Sequence, residues 1–277
     1  MSETAYVHPT AVVEAGATFG PGCRIGAFCY VGADAVLGEA VELHNHVSVV
    51  GVTTLGDGCK VYPHAALGCE PQNLKHKGGR TTLTIGRNTV IRESVTIHTG
   101  SDTSRGATTV GDNCFIMAYS HVAHDCTVGN NVTMANSATL AGHCEIGDNV
   151  TIGGLTAVLQ FVRVGNNAFL AGMSAISGDV IPFGMAQGNL ADLRGLNIIG
   201  MRRAGMTRPE IQAVRAAYKL IFDRSTPMAD NLDRARIDFA DSALAMSLVD
   251  FMTARGKRYF VTPPVRGSGS DVDETDA

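Results

Sequence analysis

The 277-residue chain is 45% hydrophobic and 17% charged, carries 32 glycines and no tryptophan, and has a formal net charge of −4. That length supports a real core in one large or two small domains, and the glycines point to many tight turns around a thin aliphatic interior. No run of about eighteen apolar residues marks a membrane span, and "MSETAYVHPT" lacks the basic start and apolar middle of a signal peptide, so the sequence reads as soluble and cytoplasmic.

The charge is unevenly spread. Residues 1–189 carry 9 Lys+Arg against 14 Asp+Glu, residues 190–262 carry 12 against 8, and residues 263–277 carry one Arg and four acids. A basic segment between an acidic body and an acidic tail suits an acidic protein partner and argues against nucleic acid.

From the N-terminus the dominant pattern is a repeat of six. Stepping from Val7 gives Val13, Phe19, Ile25, Val31, Leu37, Leu43, Val49, Leu55, Val61 and Leu67. The phase resumes at Ile85, Ile91 and Ile97, then at Val110, and holds every sixth residue to Ile176. All 26 positions are large and apolar, a period that fits neither an amphipathic helix nor a hairpin meander. Two residues earlier runs a smaller register, including Ala5, Ala11, Cys23, Cys29, Cys114, Ser120 and Cys144. Alternate residues therefore point into one narrow interior.

Three such rungs per coil predict a mostly β protein, a parallel β-helix of roughly nine coils over residues 1–190. Six of the seven cysteines fall on the small register and are expected to pack; only Cys69 lies off it. The phase breaks at residues 69–84, "CEPQNLKHKGGRTTLT", and at 98–109, "HTGSDTSRGATT", which predict loop insertions where function concentrates. From about Asp192 the pattern turns helical and continues to about residue 262. In "TRPE", Thr207 and Glu210 have the spacing of a capping box, and Ile211, Val214, Ala217 or Tyr218, and Ile221 form one apolar stripe. The acidic tail, residues 263–277, is expected to be disordered.

The stretch "SHVAHDCTVGN" holds the chemistry. Relative to inward Val122, His121 points outward and His124 stands at a corner with Asp125 beside it. His143 lies nineteen residues on, one coil away or about 5 Å along the axis, and Gly142 precedes it. A neutral imidazole can take a proton from a hydroxyl or amine while a carboxylate fixes its tautomer, and a glycine N–H can stabilise a tetrahedral oxyanion. Zinc catalysis needs about three converging ligands; His121 and His124 face different ways and Cys126 points inward, so convergence would need a neighbouring subunit.

The motifs "SHVAHDCTVGN", "ATLAGH", "IRESVTIHTG", "AQGN" and "AAYKLI" resemble the bacterial UDP-N-acetylglucosamine acyltransferases that begin lipid A synthesis, over nearly the whole chain. The resemblance implies a left-handed β-helix assembled as a homotrimer, with sites between subunits and no metal or tightly bound cofactor. Its substrates would be (R)-3-hydroxyacyl-acyl carrier protein and the 3-position of the sugar nucleotide. Matching motifs imply His124 as general base, Asp125 as its orienting partner, Gly142 as oxyanion donor, His121 as a nearby contact and His143 as a sugar contact. "PQNLK" implies Gln72, Asn73, Leu74 and Lys75 around the nucleotide sugar or acyl donor, and "LQF" implies Gln160 at the nucleotide sugar. Gly172 would set acyl length, and Asn197, Arg202 and Arg203 would contact nucleotide or carrier protein. Where the family's enterobacterial forms read "AVHQF", "GNHA" and "NIEG", this chain has Leu159, Leu190 and Ile199. That leaves open a 3-amino sugar nucleotide as acceptor, giving an amide. Other hexapeptide acyltransferases and, more remotely, a zinc hydratase of the gamma carbonic anhydrase type are the alternatives.

Overall fold

The computed structural model describes residues 4–254 and 256–264. Apart from Pro263 and Pro264, the acidic tail lies outside the described residues.

Two-residue strands alternate with four-residue corners. Tyr6–Val7, Val12–Val13 and Thr18–Phe19 begin three faces, and Arg24–Ile25 then stacks in parallel on Tyr6–Val7. Every third strand rejoins the same face, giving sheets of 11, 9 and 8 strands, so the chain winds as a left-handed triangular β-helix. The six-residue register is the inward one: Ile25, Val31, Val49, Leu67, Ile97, Val122, Leu140 and Leu170 are each fully enclosed. Each coil buries its neighbours and nothing more distant, so the core is one-dimensional.

The smaller register does more than leave room. Cys23 Sγ donates to the Gly38 carbonyl at 2.9 Å, Cys29 to His44 at 2.7 Å, Ser120 Oγ to Ala135 at 3.1 Å, Cys126 to Ala141 at 3.2 Å and Thr156 Oγ1 to Ala171 at 2.8 Å. Each acceptor lies fifteen residues on, at a corner of the next coil. Cys59 to Gly86 and Thr89 to Gly111 follow the same rule across the two insertions. A small side chain with a donor thus meets a carbonyl that no strand partner satisfies.

Both insertions leave the second face and enter the third. The first runs between Ala66–Cys69 and Thr82–Ile85, the second between Thr96–His98 and Ala107–Val110. They erupt from the same corner in consecutive coils, directly before the coil that carries His124.

The helical pattern expected from about Asp192 begins six residues later. Asp192–Leu196 is a strand, antiparallel to Gly184–Gln187, and closes the first face. Four helices follow: α1 (Ile198–Arg203), α2 (Arg208–Ile221), α3 (Met228–Asp238) and α4 (Ala243–Thr253). Thr207 and Glu210 form the capping box that starts α2, and Ile211, Val214, Ala217 and Ile221 are its buried stripe. The segment beyond α4 returns to the β-helix, where Lys257 Nζ sits 4.1 Å from the Phe161 ring centroid and Arg258 Nε donates to the Gln160 carbonyl at 2.8 Å. Buried Asp179 pairs with Arg163 at 2.7 Å, and Arg163 also donates to the Ala254 carbonyl. No helix among the described residues is long and apolar enough to cross a membrane.

Candidate active site

His124 and Asp125 occupy the corner between the Val122 strand on the second face and the Val128 strand on the third. Asp125 has φ +60°, the left-handed conformation that turns the chain there. This turn brings its carboxylate alongside the neighbouring ring, and His124 Nδ1–H donates to Asp125 Oδ2 at 2.8 Å. The Asp125 side chain is fully enclosed. Its oxygens also accept Ser101 N–H at 3.1 and 3.2 Å and Gly106 N–H at 3.0 Å, both from the second insertion. The carboxylate is therefore held as an acceptor from several sides and fixes His124 with Nε2 as its basic nitrogen.

Gly142 sits one coil above. A Cβ built there would lie 2.7 Å from His124 Cε1 and 2.8 Å from Nε2. Only glycine lets the backbone come so close to the imidazole. The Gly142 N–H has no acceptor among the described residues, so it can serve a ligand oxygen.

His143 follows with φ +63° and its amide donates to the His124 carbonyl at 3.0 Å. Its ring meets His124 edge-on at 5.0 Å and stacks on Phe161 at 4.4 Å, while Nδ1 lies 3.3 Å from Ser104 Oγ. Burial holds its pKa below the ordinary histidine value, against the opposing pull of Asp125. His121 lies on the flanking strand with Nδ1 at 2.7 Å from Thr96 Oγ1. Burial, with His98 and His124 nearby, pushes its pKa down to about 4, so it is a neutral hydrogen-bonding group at pH 7.

His124, Asp125 and His143 offer ligand atoms that all lie within 4.8 Å of one another. The Asp125 oxygens, however, are already engaged by two backbone N–H groups and by His124. That donor set serves an imidazole base better than a cation.

Of the first-insertion residues, Asn73 reaches inward: Nδ2 donates to Ser101 Oγ at 3.1 Å, and Oδ1 accepts the Lys75 amide at 3.0 Å. Ser101 also donates through its backbone to Asp125, so Asn73 is two contacts from the His124 pair. Leu74 is fully exposed, and Gln72 and Lys75 flank Asn73 on the loop. Asp102 ties the two insertions together, accepting Gly79 N–H at 2.9 Å and Lys77 N–H at 3.0 Å and pairing with His76 at 3.0 Å. The Gly79 amide leads the contacts that hold the Asp102 pKa low.

The other expected site residues do not converge on His124 within one chain. Gln160 shares the His124 corner two coils up, but exposed Gly172 lies at the corner between the first and second faces. Asn197 caps α1, its Oδ1 accepting Gly200 N–H at 2.9 Å and its Nδ2 donating to the Asn167 carbonyl at 3.0 Å. Each end has one partner in the fold, which leaves a second Nδ2–H and a second Oδ1 lone pair for a ligand. Asn197 and Arg203 line a depression of about 490 Å³ with Phe169 and Ile199 on the first face, and Arg202 is exposed beside them. Leu159, Leu190 and Ile199 are all exposed.

Two further residues were not singled out from the sequence. Ser101 and Gly106 hide in an insertion where the six-residue phase gives no address, although Ser101 is fully buried.

Comparison with known proteins identifies the family. Residues 107–142 match the bacterial transferase hexapeptide family and 179–260 match the second domain of the UDP-N-acetylglucosamine O-acyltransferase family. An acyl-[acyl-carrier-protein]–UDP-N-acetylglucosamine O-acyltransferase of Mesorhizobium japonicum is 62% identical over 98% of this chain and 97% of its own. The enzyme of the same name from Brucella ovis is 53% identical over 99% and 100%. The solved UDP-N-acetylglucosamine acyltransferase of Campylobacter jejuni superposes with a TM-score of 0.87 at 39% identity, covering 93% of this chain and all of that one. With the His124 corner, the two insertions and the closing helices all inside that span, the chain belongs to the acyl-[acyl-carrier-protein]–UDP-N-acetylglucosamine O-acyltransferase family.

Proposed function

We propose that this acyltransferase moves an (R)-3-hydroxyacyl chain from acyl carrier protein to the 3-hydroxyl of UDP-N-acetylglucosamine, the first step of lipid A synthesis, in the cytoplasm. The observation that carries the mechanism is the His124–Asp125 pair with the Gly142 backbone pressed against the His124 ring. His124 Nε2 takes the hydroxyl proton as the oxygen attacks the thioester carbonyl. The Gly142 N–H meets the developing oxyanion, and Asp125 stabilises the imidazolium. Collapse breaks the carbon–sulfur bond, and the departing sulfur takes the proton back from His124.

We further infer a homotrimer. Gly172 and the Asn197–Arg203 depression lie on different sides of the prism from His124, so substrate contacts from all three groups require neighbouring copies. The exposed cations Arg202, Arg203, Arg208, Arg215 and Lys219 on α1 and α2 supply a surface for the acidic carrier protein. A second reading of the acceptor, a 3-amino sugar nucleotide acylated to an amide by the same base, is raised by the family departure at exposed Leu159, which adjoins Gln160.

Assaying both acceptors with hydroxyacyl carrier protein separates these readings. His124→Ala should lower transfer by roughly 10²- to 10⁴-fold while circular dichroism and sedimentation still report a folded trimer. Near-wild-type transfer by that variant would remove His124 from the base role.

A further inference from the structure

His98 ends the Thr96–His98 strand, one residue after inward Ile97 and directly before the second insertion. It is 6% exposed, and its ring meets His121 edge-on with centroids 5.1 Å apart. Its Nδ1 is enclosed and partnerless, the one side-chain nitrogen or oxygen in that condition among the described residues. Nε2 has no protein partner either, but it is not enclosed.

Those facts select one state of the ring. The imidazolium and the Nδ1–H tautomer would both bury an N–H with no acceptor, at the full desolvation cost of that donor. The Nε2–H tautomer leaves only a lone pair unmet and presents a donor at the ring's open edge. Burial and the nearby His124 hold the His98 pKa below the ordinary value, which agrees. No hydrogen bond joins His98 to His121 or His124, whose ring bonds run to Thr96 and Asp125, so the donor is left for a ligand.

We propose that His98 is a substrate-binding residue whose Nε2–H donates to a neutral carbonyl oxygen of a substrate seated beside His124. The idea rests on the acyl-transfer reading above. A carbonyl fits because it only accepts; a phosphate would favour a proton on the ring that enclosed Nδ1 cannot lodge. Two carbonyls qualify chemically, the N-acetyl group of the sugar and those of the acyl donor, and kinetics can tell them apart.

The test compares the full-length wild type with His98→Phe, which keeps ring volume without an N–H, and His98→Gln, which offers an amide N–H near the Nε2 position. His98→Phe should raise KM for one substrate about tenfold with kcat within about threefold, as loss of one ground-state hydrogen bond requires. His98→Gln should stay close to wild type, and the substrate whose KM rises identifies the carbonyl. Unchanged KM for both substrates, or a fall in kcat alone, overturns the proposal. Independently, ¹⁵N spectra of histidine-labelled wild type at neutral pH should show His98 as the Nε2–H tautomer; an Nδ1–H signal overturns it whatever the activity. Failure of the wild type to transfer acyl groups would instead sink the acyl-transfer reading and this proposal with it.

Discussion

Two corners of the same prism make the same backbone turn with different residues. Between the third and first faces the left-handed position is filled by Gly22, Ala40, Gly58, Asn88, Asn113, Asn131, Asn149 and Asn167. Glycine and asparagine are the residues that enter this conformation at least cost. Between the second and third faces, three successive coils put Asp125, His143 and Phe161 there instead. Asp125 is tolerated in this conformation, but His143 and Phe161 carry strain of roughly 1–2 kcal/mol each. They are retained where their side chains meet: Asp125 on His124, His143 against both His124 and Phe161. Between the first and second faces the same position also takes Phe28, His46, His64, Tyr119, Leu155 and Met173, so what sets the His124 corner apart is the contact its turn residues make with that ring.

The sharpest way to break this contrast is Gly142→Ala. The added methyl would overlap the His124 ring at 2.7 Å, and displacement of about an ångström should cost transfer roughly 10²-fold. Wild-type activity in that variant would mean that the approach of Gly142 to His124 is incidental.

A second test uses acid. The His121 pKa is about 4 in the fold, against roughly 6.5 in an unfolded chain. Between those values the unfolded state binds more protons, so stability is lost as pH falls from about 6.5 toward 4. His98 and His143 are shifted in the same direction. Melting temperature should therefore drop across that window, and His121→Gln should flatten part of the fall. An identical acid profile for the variant would show that His121 does not contribute to it.

The smallest effect belongs to the other corner. Asn131→Ala should lower stability by about 1 kcal/mol through left-handed strain, and Asn131→Gly should change it by less than about 0.5 kcal/mol. Transfer should be untouched in both, and an activity loss there would dissolve the distinction between the two corners.

Much of this was legible because the repeat gives each residue an address. Val122 inward places His121 on the outer wall and His124 at the corner, and the nineteen-residue step to His143 puts both on one edge. The address fails inside the insertions, so the Ser101 and Gly106 amides on Asp125 could not be read from the sequence. It also fails at the end of the solenoid. Asp192–Leu196 looked like the start of a helical pattern, yet hydrogen bonds to Gly184–Gln187 claimed it as a strand. The motif places Asn197 near a ligand but carries no information about its structural bonds to the Gly200 amide and the Asn167 carbonyl, which the fold adds. The phase break at 98–109 takes in His98, although its place one residue after inward Ile97 already marks it as the end of a strand.

The buried thiols carry a consequence beyond packing. Cys23, Cys29, Cys59, Cys114, Cys126 and Cys144 are each at most 1% exposed, and burial raises the pKa of Cys23, Cys29, Cys59 and Cys114. They are silent toward alkylating reagents while their coils are wound. Spread from the second coil to the seventh, they form a set of internal timers: the order in which they become labelled during unfolding records which end of the solenoid unzips first.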